Sequence, residues 1–260
     1  MNLSLPATLL LLALGSCSIT FFGQERASRE GSIAHTASSG IHTIRIDGYN
    51  GDIDVIPGVG KEIRANTKTY ATGSTQAEAD KRLGQMQWSF RESGSTLHLE
   101  LSRPDRGASN AGSDLMRLEI PASWTVDVDT SNGDVDVANG FQTILVHSSN
   151  GDLDIQSNGK VRLRTSNGDI DFGGSSQDFQ MTSSNGDIIL WLDGDWSGDG
   201  NAHSSNGKIS LRCDGLLDCT LRGSTSNGKL NVYGPSLDSG TGTLVLGTSN
   251  SGISVTHGNK

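Results

Sequence analysis

Ser131-Asn132-Gly133-Asp134-Val135-Asp136-Val137 is a heptapeptide that recurs throughout the C-terminal half of this 260-residue chain. Successive asparagines of the repeat lie 18, 17, 18, 21 and 21 residues apart, and a degraded copy at Asn250 follows 23 residues later. Self-similarity at about 20 residues is typical of repeat architectures. The intact Asn-Gly pairs are Asn132-Gly133, Asn150-Gly151, Asn167-Gly168, Asn185-Gly186, Asn206-Gly207 and Asn227-Gly228.

Each repeat contains two short runs of alternating apolar and polar residues. Ile144 and Val146 precede one Asn-Gly pair, and Leu153 and Ile155 follow it. A period of two is typical of a strand with one buried face. Because Gly accepts positive φ freely and Asn tolerates it, the Asn-Gly step predicts a tight corner of left-handed backbone between two strands.

Two all-β folds share this pattern. In an antiparallel meander or barrel, each Asn-Gly is a hairpin turn; in a β-helix-like solenoid, each repeat is one coil and the corners stack. Stacking also explains why the flanking Ser and Asp recur, since stacked polar side chains form ladders. We therefore predict a solenoid of about seven coils, with the meander as the alternative.

The residue after each glycine is acidic in the first four repeats and then becomes Lys208 and Lys229. A second acid, at Asp136, Asp154 and Asp171, also ends after three repeats. The acidic residues predict either a solvated face or a groove that holds Ca²⁺, whose ligands are carboxylate and carbonyl oxygens.

The N-terminus has the features of an export signal. An apolar stretch of about a dozen residues ends in Leu14-Gly15-Ser16-Cys17, which resembles the bacterial lipobox, in which the cysteine receives a lipid. We predict a signal peptide at 1–16, lipidation at Cys17 and a flexible tether at 17–40. The chain would then be lipid-anchored in the cell envelope, at the outer membrane or in the periplasm of a Gram-negative cell.

The folded part is predicted to comprise a β region at 41–121, with one helix at 75–87, and the repeat solenoid at 122–257. Export places Cys213 and Cys219 in an oxidising compartment, and five residues separate them. A disulfide between Cys213 and Cys219 is therefore predicted; two unpaired thiols are the alternative.

From about Ile41 to Val255 the chain resembles a bacterial domain family of unknown function known as putative adhesin. The shared features are Asn50-Gly51-Asp52-Ile53, the single helix, Glu119-Ile120-Pro121 and rungs such as Thr165-Ser166-Asn167-Gly168-Asp169-Ile170. The resemblance implies a right-handed β-helix-like solenoid on the cell envelope. It implies no enzyme chemistry and no catalytic residues.

The loop that lengthens one repeat is the best candidate for a bound ion. Asp193, Asp195, Ser197 and Asp199 imitate the spacing of a Ca²⁺ loop, although position 12 is Ser204 and not Glu. The alternative is a polar surface loop. Trp191 and Trp196 beside it suggest an exposed aromatic contact patch.

We expect a non-enzymatic envelope lipoprotein that binds or scaffolds through the extended face that tandem coils create. The alternatives are a partner in envelope-stress sensing and a polysaccharide-processing enzyme, for which only the acidic face and Lys160, Arg162 and Arg164 are available. The expected partners are the membrane, through the lipid, and an envelope protein or glycan. A net charge of −9 without a basic stripe argues against nucleic acid.

Overall fold

The structure is a computed structural model that describes the backbone of residues 14–21 and the whole of residues 24–103 and 111–258. Most of the predicted signal peptide, residues 1–16, lies outside the described residues. Cys17 lies in the first strand, where it is opposite Ser28.

The described residues form twenty-two strands and one helix. In chain order these elements are β1 Leu14–Phe21, β2 Gln24–Thr36, β3 Thr43–Asp47, β4 Ile53–Gly58, β5 Glu62–Gly73, α1 Gln76–Gln85, β6 Gln87–Ser93, β7 Thr96–Ser102, β8 Ala111–Pro121, β9 Thr125–Asn132, β10 Val135–Val137, β11 Thr143–Asn150, β12 Leu153–Gln156, β13 Lys160–Thr165, β14 Ile170–Gly174, β15 Asp178–Ser183, β16 Ile188–Leu192, β17 Asp199–Ser204, β18 Ile209–Cys213, β19 Cys219–Thr225, β20 Leu230–Tyr233, β21 Gly242–Thr248 and β22 Ile253–Thr256.

The strands form two sheets. Sheet A has twelve strands in the order β1-β2-β5-β8-β4-β10-β12-β14-β16-β18-β22-β20, and sheet B has ten in the order β19-β21-β17-β15-β13-β11-β9-β3-β7-β6. Each repeat contributes one strand to sheet B and the next to sheet A, and we call such a pair a coil. The inward residues of both sheets form one core, in which Val135, Ile155 and Leu190 are at most 1% exposed.

Strands of neighbouring coils are parallel and in register. Val135 is opposite Leu153, and Ile144 is opposite Val161, so equivalent repeat positions stack directly. The solenoid prediction is thereby confirmed. The meander alternative is wrong, because consecutive repeat strands belong to different sheets and pair with the strands of other coils in parallel.

The order of coils in space differs from their order in the chain at both ends. Coil β3/β4, which carries the Asn50 corner, lies between coil β7/β8 and coil β9/β10. At the other end, coil β21/β22 lies between β17/β18 and β19/β20. Among the described strands, the last coil in space is therefore β19/β20, and its inward residues Leu230 and Val232 are 39% and 40% exposed because no described strand stacks on them.

The predicted boundary at 121/122 does not interrupt the stack. Strands β3 and β4, from the N-terminal region, pair directly with β9 and β10 of the repeats. Strand β8 pairs in parallel with β4, and beyond β8 sheet A is extended by the antiparallel strands β5, β2 and β1. Sheet B ends in the antiparallel hairpin β6–β7.

The flexible tether predicted at 17–40 is wrong for much of its length. Residues 24–36 form strand β2, which pairs with β5 over twelve residue pairs. Composition suggested a tether because this segment is rich in Ser, Gly and charge. Pairing with the long strand β5 satisfies its backbone groups, and Ala27 and Ile33 pack into the core.

Helix α1 lies inside the range predicted for it. Thr75 caps its N-terminus, because the Thr75 side chain accepts a hydrogen bond from the backbone N–H of Glu78 at 3.2 Å. Ala79 and Leu83 are the buried residues of the helix, as their one-face spacing predicts.

Candidate functional site

The corner asparagines form a continuous ladder along the solenoid. The side-chain Nδ2 of each one donates to the Oδ1 of the asparagine in the preceding coil in space. The N···O distances are 2.8 Å for Asn150 to Asn132, 2.6 Å for Asn167 to Asn150, 2.7 Å for Asn185 to Asn167, 2.8 Å for Asn206 to Asn185, 2.6 Å for Asn250 to Asn206 and 2.8 Å for Asn227 to Asn250. Asn132 donates to Asn50 in the same way, and Asn50 ends the ladder by donating to the Ala111 carbonyl.

From Thr165 onward, the Ser or Thr two residues before the corner asparagine supports the corner from inside, whereas the buried hydroxyls of Thr130 and Ser148 have no hydrogen-bond partner among the described residues. The buried hydroxyl of Ser183 donates to the carbonyl of Gly168 at 3.0 Å and accepts from the N–H of Gly186 at 2.9 Å. Ser204 makes the equivalent pair of bonds one coil further on. These bonds give the hydroxyl residue a structural role in the coils from Thr165 onward.

Close packing between coils requires glycine at the corners. Most of the corner glycines do not have a positive φ. Of the six intact repeat glycines only Gly133 has positive φ, at 125°. A Cβ added at Gly168 would lie 1.9 Å from the carbonyl oxygen of Gly151, and one at Gly186 equally close to that of Gly168. The left-handed corner predicted from Asn-Gly is therefore wrong for most repeats, and the stacked backbones exclude a side chain instead.

Two rows of aspartates follow the same edge of the solenoid. In the corner row, each carboxylate accepts a hydrogen bond from the backbone N–H at the same position of the next coil. These distances are 3.0 Å from Asp134 to Asp52, 2.9 Å from Asp152 to Asp134, 2.8 Å from Asp169 to Asp152, 2.7 Å from Asp187 to Asp169 and 2.6 Å from Lys208 to Asp187. The corner acids therefore have a structural role.

The second row, on the outer face of sheet A, has no such role. Asp54, Asp136, Asp154 and Asp171 are opposite one another on consecutive strands, about 4.8 Å apart. Partial burial raises the pKa of Asp54, Asp136 and Asp171, and the neighbouring carboxylates raise the pKa of Asp136 and Asp171 further. We call the two rows together the acidic strip; it attracts cations and repels anionic polymers.

Beyond the acidic strip, the outer face of sheet A changes character. One outward row contains Gln156, Gly173, Trp191, Arg212, Thr256 and Tyr233, in spatial order. Trp191 is 49% and Tyr233 57% exposed, and the guanidinium carbon of Arg212 lies 5.3 Å from the centre of the Trp191 ring. We call this set the aromatic row. Three strand spacings, about 14 Å, separate its two aromatic residues.

The prediction of an exposed aromatic patch is confirmed for Trp191 and wrong for Trp196. Trp196 is 1% exposed, its indole N–H donates to the carbonyl of Ser176 at 2.7 Å, and its ring packs on Phe179. Trp191 is joined instead by Tyr233, which is 42 residues away in the sequence. The sequence could not show this neighbour, because the order of the last two coils places Tyr233 on that row.

The outer face of sheet B has the basic residues. Arg162 and Lys160 form ion pairs with Asp178 at 2.6 and 3.2 Å, and Arg162 and Arg164 help to line a shallow cavity of about 310 Å³. His147 and His203 share an outward row, three coils apart. The acidic strip belongs to the other edge and sheet and does not meet these basic residues, whose acidic neighbours are Asp178 and, in the cavity, Asp127.

The candidate calcium loop does not gather its oxygens. The carboxylate of Asp195 accepts from the N–H of Leu216 at 2.8 Å, and that of Asp199 from the N–H of Thr243 at 3.1 Å. The carboxylates of Asp193, Asp195 and Asp199 do not form a close group of potential ligands among the described residues. The loop residues instead bind the backbones of neighbouring coils.

The predicted disulfide between Cys213 and Cys219 is wrong in this structure, where both are free, buried cysteines. Cys213 ends a strand of sheet A and Cys219 begins one of sheet B, and the Cys213 thiol donates to the carbonyl of Gly194 at 3.1 Å. Burial raises the pKa of both thiols, that of Cys219 to about 11. Both cysteines act as small core residues.

One group of potential metal ligands was missed at the sequence level. Asp47, His98 and Glu100 come together on sheet B, on strands far apart in the chain. The alternation His98-Leu99-Glu100 places both polar residues on one face of β7, but no sequence signal links that face to Asp47.

Comparison with known proteins gives only distant similarity. No protein-family model and no curated protein matches the chain. A solved putative cell adhesion protein from Clostridium sporogenes is 9% identical over 88% of this chain and 99% of its own, with a TM-score of 0.38. A putative adhesin from Bacteroides fragilis is 15% identical over 87% and 96%, with a TM-score of 0.45. One from Parabacteroides distasonis is 10% identical over the same shares, with a TM-score of 0.25.

Proposed function

We propose that this protein is a non-catalytic, adhesin-like binding protein of the cell envelope, which holds a glycan chain along the outer face of its solenoid. The observation that carries the proposal is the aromatic row. An exposed Trp191, an Arg212 whose guanidinium lies over the Trp191 ring and an exposed Tyr233 occupy equivalent outward positions on stacked strands of sheet A. Trp, Tyr and Arg are the residues that contribute most to binding interfaces.

The chemistry of the row fits a sugar chain. The negative π-face of an aromatic ring attracts the weakly positive C–H groups of a pyranose. Gln156 and Thr256, in the same row, supply amide and hydroxyl groups for sugar hydroxyls. Because the acidic strip adjoins the row and repels anionic polymers, the partner we propose is an uncharged glycan.

The proposal is tested by titrating the purified chain with neutral and anionic cell-wall polysaccharides. Replacing Trp191 by Ala should weaken binding to the neutral glycan at least 10-fold, since such anchors contribute about 2 kcal/mol or more. Met116→Ala, which removes another exposed apolar residue from sheet A, should leave the affinity unchanged. Tight binding of the anionic polymer, or equal affinity of wild type and Trp191→Ala, would contradict the proposal.

We propose further that Cys17 anchors the protein to the membrane through lipid. The support is the Leu14-Gly15-Ser16-Cys17 sequence. No helix in the described part of the chain is long and apolar enough to cross a membrane. Cys17→Ala should move the protein from the membrane fraction to the soluble fraction. Retention of the variant on membranes would exclude this anchor.

A further inference from the structure

We propose that Asp47, His98 and Glu100 form a binding site for a divalent transition-metal ion such as Zn²⁺, on the outer face of sheet B near its N-terminal end. The site is separate from the aromatic row, which lies on sheet A. One potential ligand atom from each of the three residues lies within 4.8 Å of the others, and all three residues are partly buried.

Strand register makes this arrangement a property of the backbone. Asp47 in β3 is directly opposite Glu100 in β7, and His98 precedes Glu100 by two residues on the same face. Residues at such positions project side by side from a sheet. The donors are therefore held by two paired strands of the solenoid, and no flexible loop is needed to assemble them.

The imidazole is available to a metal ion. Within the part of the chain that the structure describes, His98 makes no hydrogen bond, and its Nδ1 lies 3.8 Å from the nearest Glu100 oxygen. Its side chain is 21% exposed, so water reaches it only partly. By contrast, the Nε2 of His35 lies 2.8 Å from a carboxylate oxygen of Glu92, so this nitrogen is not available to a metal ion.

The two arginines beside the site leave the carboxylates enough freedom. Arg45 contacts Asp47 at 3.3 Å, but it also contacts Asp127 at 2.9 Å and Asp129 at 3.4 Å, so it keeps two partners if a metal ion takes Asp47. Arg91 contacts one oxygen of Glu100 at 2.7 Å. The other oxygen of Glu100, Oε2, makes no ion pair with any residue that the structure describes.

The local charge favours a divalent cation. The four carboxylates of Asp47, Glu100, Asp127 and Asp129 exceed the two guanidinium groups of Arg45 and Arg91 by two negative charges. One divalent ion would neutralise this excess. One imidazole nitrogen and two carboxylate oxygens are typical Zn²⁺ ligands, whereas Ca²⁺ and Mg²⁺ prefer all-oxygen sites.

Metal binding would join two coils that are distant in the chain. Asp47 belongs to coil β3/β4, and His98 and Glu100 belong to coil β7/β8, which stacks on it out of chain order. A ligand that binds only the folded state stabilises it. The ion would therefore hold the end coil and its β6–β7 hairpin in place.

The test is calorimetric titration of the purified full-length chain with ZnCl₂, with CaCl₂ as the comparison ion. We expect one equivalent of Zn²⁺ bound with micromolar affinity, a higher melting temperature with Zn²⁺, and neither effect with Ca²⁺. His98→Ala and Asp47→Asn should each weaken binding at least 10-fold. His147→Ala is the matched control, because His147 is an exposed imidazole on the same sheet with its Nδ1 also 3.8 Å from a carboxylate.

If His98→Ala folds poorly, His98→Gln keeps a polar side chain of similar reach and serves as the second variant. The proposal is overturned if wild type binds no Zn²⁺ below millimolar concentration. It is equally overturned if folded His98→Gln binds Zn²⁺ as wild type does, or if His147→Ala loses the same affinity.

Discussion

Replacing Gly168 by Ala tests whether the corner glycines are needed for stacking. The new Cβ would lie 1.9 Å from the Gly151 carbonyl oxygen, and an ordinary contact begins at 3.4 Å, so the two corners must separate by about 1.5 Å. That movement would break the Asn167–Asn150 side-chain bond, the Asp169 N–H bond to Asp152 and the bond from the Thr165 hydroxyl to the Gly151 carbonyl. At about 1 kcal/mol each, the loss is about 3 kcal/mol.

Such a loss should lower the melting temperature by about 6–12 °C in a chain of this size. The assay is thermal and urea unfolding followed by far-UV circular dichroism. Gly84→Ala is the control, because Gly84 lies in helix α1 with open space around it and the substitution should stabilise by about 0.5–1 kcal/mol. If Gly168→Ala unfolds within 0.5 kcal/mol of wild type, close corner stacking does not explain the repeated glycine.

Three further predictions concern the ladder, the acidic strip and the thiols. Asn167→Ala removes bonds to Asn150 and from Asn185 and should cost about 1–2 kcal/mol in urea unfolding, whereas an unchanged midpoint would show that the ladder is incidental. Asp136→Asn should raise the melting temperature at pH 7 by about 1–2 °C, as expected for a surface charge effect. Because the folded-state pKa of Asp136 is raised, ionised Asp136 destabilises the fold. The increase in melting temperature caused by Asp136→Asn should therefore disappear as the pH falls through that pKa. An increase that persists at pH 3 would contradict an electrostatic cause. In a chain from Ser18 onward and without reductant, Cys213 and Cys219 should react with iodoacetamide only after the chain is unfolded. A mass 2 Da below that of the reduced chain, together with no reaction after unfolding, would reveal a disulfide.

The local rules of the repeat could be predicted from the sequence, because they depend on neighbours at fixed spacing. Alternation at Ile144 and Val146 predicted which side chains are buried, and both are at most 3% exposed. The recurrence of Ser and Asp beside Asn-Gly favoured stacked corners over hairpins, and the parallel registers confirm that choice. The reason given for glycine failed because close approach between coils has no signal within one coil.

The functional surfaces were less predictable, since each one combines residues from different coils. Trp191 could be identified from the sequence. Tyr233 joins it only because coil β21/β22 lies between coil β17/β18 and the terminal coil β19/β20. His98 and Glu100 reach Asp47 only because coil β7/β8 stacks outside coil β3/β4. The prediction of a tether at 17–40 failed for a similar reason. The composition of that segment does not reveal that the long strand β5 offers an edge with which β2 pairs.

The sequence by itself determined the shape of one coil: where the strands run, which residues turn inward and where the chain bends. Only the tertiary structure decided the order in which coils stack at the two ends. The physical reason is that the coils resemble one another. Each coil presents almost the same backbone edge and a similar set of inward apolar side chains to the next coil. The sequence pattern within a coil therefore does not specify which coil stacks on it. The packing of the whole chain specifies that neighbour.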